Sequence, residues 1–151
     1  MGVRIKCGVG LVAGLVCVLA GAQPAPAADT TRYSFVNEAT GRCLDGGSVV
    51  SSLPCDGGDS QKWAVLTGSG PSPVSLLRNA ATGRCLAAWG WYELSTTPCD
   101  GMSNQQWKLS QIGATWLKNM GVELCINDLA DDLILDACGR GKAGQRWAMR
   151  T

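Results

Sequence analysis

Apolar positions in this chain come in short runs broken by Gly, Asn and Ser, and beyond the N-terminal region none recurs with a helical period. Ser34-Phe35-Val36, Ser75-Leu76-Leu77 and Thr115-Trp116-Leu117 read as strands leading into turns at Asn37, Asn79 and Asn119. A second strand starts at each following Cys-Leu or Cys-Ile pair: Cys43-Leu44, Cys85-Leu86 and Cys125-Ile126. Further strands are predicted from Trp63-Ala64-Val65-Leu66, Trp107-Lys108-Leu109 and Leu133-Ile134-Leu135. About four short strands per segment, three times over, predict an all-β chain. The edges of so many strands need closure, and a barrel supplies it. Gly68 to Pro73 is the one linker-like stretch, too short to separate independent domains.

The exception to this pattern is N-terminal. Arg4 and Lys6 precede an apolar run from Cys7 to Ala22, and Ala25-Pro26-Ala27 follows as a small-x-small cleavage site. That order predicts a secretory signal peptide over residues 1–28, with the mature chain starting at Ala28 or Asp29. Val16 before Cys17 is too bulky for a lipidation signal. The expected mature protein is secreted, extracellular and without a membrane span.

The mature region repeats itself at a period of about 40 residues. Asn37-Glu38-Ala39-Thr40-Gly41-Arg42-Cys43 returns as Asn79-Ala80-Ala81-Thr82-Gly83-Arg84-Cys85, and more loosely as Asn119-Met120-Gly121-Val122-Glu123-Leu124-Cys125. Each copy reaches a second cysteine and then a Gln-x-Trp: Gln61 to Trp63, Gln105 to Trp107, Gln145 to Trp147. Cys7 and Cys17 leave with the signal, and composition alone cannot pair the remaining six cysteines. The repeat makes pairing within units the natural choice: Cys43–Cys55, Cys85–Cys99 and Cys125–Cys138. A large side chain recurring in phase reads as core, so Trp63, Trp107 and Trp147 are expected to line the barrel interior.

Composition narrows the chemistry. The chain has 13 basic and 12 acidic residues and no basic stripe, so neither nucleic acid nor an anionic membrane is an expected partner. It has no His, which removes Ser-His-Asp and Cys-His machinery. With the cysteines committed to disulfides, neither catalysis, a cofactor nor a metal is expected. The acidic run Asp128, Asp131 and Asp132 lacks an ordered set of alternating oxygen ligands and reads as solvated surface.

Three units with in-phase Gly-x-Cys-Leu-like and Gln-x-Trp motifs resemble the ricin B-type lectins, and the short cysteine spacing looks like their compact actinobacterial secreted branch. The resemblance covers roughly Thr31 to Thr151. It implies a β-trefoil over residues 29–151, with units at about 31–70, 71–112 and 113–151, a monomer, and a carbohydrate (glycan or polysaccharide) as partner.

The resemblance also implies where sugar would bind. The family uses an Asp two residues after the first cysteine, an aromatic platform, an Asn-like residue before the Gln, and the Gln as a brace for the acid. The first unit supplies Asp45, Ser60 and Gln61, without an aromatic between Ser48 and Leu53. The second supplies Asn104, Gln105 and the aromatics Trp89, Trp91 and Tyr92, with Ala87 in the acid's place. The third supplies Asn127 and Gln145, with Gly144 before the Gln. Asp45 can instead order a turn before Gly46-Gly47. The three aromatics can cover the barrel's open end or form an exposed patch that stacks on a glycan. Two function classes follow: a carbohydrate-binding module, or a trefoil scaffold that has lost sugar binding and contacts a protein.

Overall fold

The computed structural model describes residues 31–68, 73–109 and 114–151. The expected signal peptide and most of the Gly68–Pro73 stretch lie outside the described residues.

Each unit contributes four strands. The first has β1 (Arg32–Asn37), β2 (Cys43–Gly46), β3 (Val50–Leu53) and β4 (Trp63–Thr67). The second has β5 (Ser75–Asn79), β6 (Cys85–Trp89), β7 (Glu93–Thr97) and β8 (Trp107–Leu109). In the third, the first strand is split into β9 (Ala114–Thr115) and β10 (Leu117–Asn119), followed by β11 (Cys125–Asp128), β12 (Leu133–Asp136) and β13 (Trp147–Arg150). The continuous strand expected through Trp116 is therefore interrupted there. The break falls where the chain changes neighbours, β9 pairing with β13 and β10 with β8.

Pairing closes a ring. β1 bonds β4, β4 bonds β5, β5 bonds β8, β8 bonds β10, and β13 bonds both β9 and β1, all antiparallel. The hairpins β2–β3, β6–β7 and β11–β12 hang from that barrel as its cap. This is a β-trefoil, as the family resemblance implies, and its disulfides join Cys43 to Cys55, Cys85 to Cys99 and Cys125 to Cys138, as the repeat predicts.

The core repeats in triplets. Trp63, Trp107 and Trp147 are fully buried, as are Phe35, Leu77 and Leu117, and Leu44, Leu86 and Ile126. Each indole N–H donates to the backbone carbonyl just after its unit's first cysteine, at Leu44, Leu86 and Ile126. A buried tryptophan is thereby satisfied without water.

The recurring Asn is a fastener between units. Asn37, Asn79 and Asn119 are buried, and each side-chain oxygen accepts two backbone N–H groups of its own turn. Each amide nitrogen donates across a unit boundary: Asn79 to the Ser60 carbonyl at 2.6 Å, Asn119 to Asn104 at 2.7 Å, and Asn37 to Gly144 at 2.7 Å. The last of these ties the third unit back to the first.

The looseness of the third copy has a local consequence. Gly41 (φ 70°) and Gly83 (φ 68°) close the turns of units one and two in the left-handed region, and Glu123 (φ 62°) occupies the matching place in unit three. A side chain there costs about 1 kcal/mol, and the surface ion pair of Glu123 with Lys118 offsets little of it. Glu123→Gly is expected to raise stability by somewhat under about 1 kcal/mol after the extra chain entropy of glycine. Chemical denaturation checks it, and a destabilised variant would show that the ion pair outweighs the strain.

Candidate functional site

Strand β2 of the first unit carries Asp45 two residues beyond the disulfide cysteine, and the local fold holds its carboxylate at both ends. Oδ1 accepts the Gly47 N–H at 2.9 Å, and Oδ2 accepts the Ser60 hydroxyl at 2.7 Å. Asp45 thus does order the turn that follows it. It is buried, only 6% exposed. A Cβ added at Gly47 would sit 3.1 Å from Asp45 Oδ1 and 3.7 Å from the Ser60 Cβ. Any side chain at position 47 would stand beside the carboxylate and crowd it.

The same position, four residues after the first cysteine, is Trp89 in the second unit and Leu129 in the third. Ala87, in the acid's place, is fully buried. Trp89 donates its indole N–H to the Ser95 hydroxyl at 3.0 Å. Ser95 is the residue paired across the hairpin from Ala87, so the indole leans back along the strand toward the missing acid. Trp91 and Tyr92 at the hairpin tip are 73% and 77% exposed, and Trp89 is 47% exposed. The aromatics are therefore a surface patch. Asn104 is half-buried, and its side chain makes no hydrogen bond to a described residue.

In the third unit Asn127 is buried to the same degree as Asp45. A Cβ on Gly144 would collide with its amide oxygen at 2.4 Å, which is why only glycine fits before Gln145. The Asn127 amide nitrogen lies 3.5 Å from Asp136, whose carboxylate takes Lys142 at 2.6 Å. The Lys142 hydrogen bond, opposed in part by desolvation, holds the Asp136 carboxyl below the usual carboxylate range.

The glutamines hold the loop. Gln61, Gln105 and Gln145 are buried; each amide oxygen accepts backbone N–H just past the second cysteine, from Asp56, from Asp100 and Gly101, and from Gly139. Each amide nitrogen donates to a carbonyl just before that cysteine, at Pro54, Pro98 and Ala137. The brace expected on the acid comes in unit one from Ser60 instead. The motif does not mark Gly47, whose N–H holds the Asp45 carboxylate; reading the fourth residue after each first cysteine (Gly, Trp, Leu) singles it out.

The acidic run expected at the surface splits. Asp131 and Asp132 are exposed, but Asp128 is buried and accepts the Thr40 and Ser52 hydroxyls of the first unit at 2.5 and 2.6 Å. It lies where the β11–β12 hairpin packs on unit one, so it is an inter-unit tie and not solvated surface. Among the described residues no group of His, Cys, Asp and Glu is arranged to hold a metal ion, and no helix is long and apolar enough to cross a membrane.

Comparison with known proteins follows this geometry. Residues 73–151 match the model of the ricin-type beta-trefoil lectin domain, and residues 23–92 match that of the ricin-type beta-trefoil lectin domain-like family. No curated protein matches the chain. Among solved structures, the designed 3-fold symmetric protein ThreeFoil aligns with a TM-score of 0.69 at 20% identity, covering 80% of this chain and 98% of that one. An exo-β-1,3-galactanase from Clostridium thermocellum aligns with a TM-score of 0.69 at 23% identity, over 81% of this chain and 30% of the enzyme. SeviL bound to asialo-GM1 saccharide aligns with a TM-score of 0.67 at 13% identity, over 79% of this chain and 95% of that one. At such identities the likeness is one of fold.

Proposed function

The chain belongs to the ricin-type beta-trefoil lectin domain family, and from that premise we propose that it is a non-catalytic carbohydrate-binding module, exported and disulfide-closed, with its best-preserved sugar site in the first unit. One observation carries the reading: the Asp45 carboxylate is held by the Gly47 N–H and the Ser60 hydroxyl two residues beyond the first cysteine, beside a position that carries no side chain. An ionised carboxylate has about four acceptor positions. One on each oxygen is taken, and one on each is left for two neighbouring sugar hydroxyls. Gln61 contributes by fixing the loop that carries Ser60. The exposed Trp89, Trp91 and Tyr92 add apolar contact on unit two, and the half-buried Asn104 supplies that unit's amide. Asn127, an amide in the acid's place with its nitrogen toward Asp136, leaves unit three the poorest candidate, and Gln145 holds the disulfide loop. A trefoil relative of similar fold seen with a saccharide supports the assignment, and three disulfides suit an oxidising compartment.

A site this shallow and without an aromatic is expected to hold a monosaccharide no better than about 1 mM, near −4 kcal/mol. Titrating the protein and Asp45→Asn with galactosides and plant polysaccharides tests the reading. Asparagine can still accept from Gly47 and donate to Ser60, so the fold is expected to persist while monosaccharide binding is lost. Identical curves would remove Asp45 from the site. Absence of binding to every glycan would favour the scaffold reading.

A further inference from the structure

The second unit has lost the family's acid, yet its hairpin face is not bare. In the antiparallel β6–β7 pair, residues directly opposite share a face, and Trp89 stands opposite Glu93 as Ala87 stands opposite Ser95. Glu93 is exposed and makes no hydrogen bond or ion pair with any described residue. Trp89 has its only polar group engaged on Ser95, which pins the ring while leaving the side chain half-exposed. A pinned indole and an uncommitted carboxylate thus stand side by side on one face, with Cβ atoms about 5 Å apart as in any such cross-strand pair.

We propose that unit two carries a second, rebuilt glycan site on the β6–β7 hairpin, in which Glu93 supplies from the opposite strand the carboxylate that Ala87 lacks and Trp89 supplies the platform. The inference rests on the reading of the chain as a carbohydrate-binding module. The ligand class is a neutral polysaccharide held along its chain. A pyranose ring offers an apolar C–H face to the indole and hydroxyls to the carboxylate, which is the chemistry this pair can meet at once. Trp91 and Tyr92, at the tip next to this pair, extend the apolar surface to neighbouring sugar units. Trp91 also borders a shallow pocket against Val122 and Leu124 of unit three, so the contact surface runs past a single ring. With Asp45 on unit one, the module is bivalent, and a long chain that spans both sites is held more tightly than either fragment alone.

The experiment is affinity electrophoresis and titration of the full mature chain against soluble galactan and xylan, with a free galactoside and tetramethylammonium as further probes. Trp89→Ala and Glu93→Gln are each expected to weaken polysaccharide binding by about tenfold, and Glu93→Gln to do so with galactoside binding and the melting temperature unchanged. Asp45→Asn is expected to lose the galactoside and to bind polysaccharide more weakly than wild type, through unit two alone. Wild-type polysaccharide binding that survives both Trp89→Ala and Glu93→Gln overturns this inference alone. Binding of tetramethylammonium in place of polysaccharide overturns it too, because the pair would then be a cation site. A wild type that binds no glycan overturns the parent reading and this one together.

Discussion

Trp107→Ala is expected to destabilise the protein by about 3–5 kcal/mol, the range for deleting a buried aromatic. Trp107 has no exposed surface, and its indole N–H donates to the Leu86 carbonyl at 2.9 Å. Truncation opens a cavity among the triplet residues of the core and leaves that carbonyl without its partner. Trp91→Ala, at a side chain 73% exposed, is expected to stay within about 0.5 kcal/mol of wild type. Chemical denaturation of both variants checks the ranking. Should the alanine variant fail to fold, Trp107→Phe fills most of the volume without the donor, and its smaller loss isolates the carbonyl's share. Equal losses at positions 107 and 91 would place the core elsewhere.

The fold was legible because its strongest signals are ones a repeat cannot hide. Cysteines, Gln-x-Trp and the leading Asn recur in phase, and the first cysteine, the Gln, the Trp and the Asn of each unit are buried in the structure. The strands that sequence did not single out, β3 and β7, are largely polar: Ser51 and Ser52 in one, Glu93, Ser95, Thr96 and Thr97 in the other. They belong to the hairpin cap, where backbone pairing to β2 and β6 sets the strand and little apolar periodicity is required. The inter-unit role of the Asn triplet was also hidden, since its acceptor is a backbone carbonyl in another repeat and no residue type marks it.

The site was legible in its residue types and less so in their duties. Asp45 stands where the motif puts it, but its brace is Ser60, a residue that the family pattern would fill with an amide. The conserved-looking glutamines face the disulfide loop, because a loop bounded by cysteine has backbone groups that must be paired once buried. What distinguishes the three units is the side chain two residues beyond the acid's position. That is a steric property, invisible to a search for polar groups: glycine puts no side chain beside Asp45 in the first unit, and tryptophan leans toward Ala87 in the second.

Asp128→Ala is expected to cost about 2–4 kcal/mol, more than an average surface carboxylate by a wide margin. Its Oδ2 takes two hydroxyls, from Thr40 at 2.5 Å and Ser52 at 2.6 Å, and its Oδ1 takes the Ala130 N–H at 2.9 Å. Alanine leaves all three donors facing a void at the seam between the last unit and the first. The corresponding positions in units one and two are Gly46 and Ala88, so the tie has no symmetric copy to share its load. Arg42 bridges the same seam, donating to the Ser52 and Ala130 carbonyls, and keeps the hairpin near its place in the variant. Asp128→Asn separates charge from geometry. Its oxygen can serve the Ala130 N–H while its amide donates to hydroxyls that rotate to accept, so a loss well below that of alanine would assign the stability to hydrogen-bond connectivity. A loss as large as alanine's would assign it to the carboxylate charge. Faster hydrogen exchange confined to β11–β12 and the turn around Thr40 is the accompanying signature, because the seam opens before the barrel does. Uniform acceleration across all three units would mean that Asp128 supports the core and not the junction.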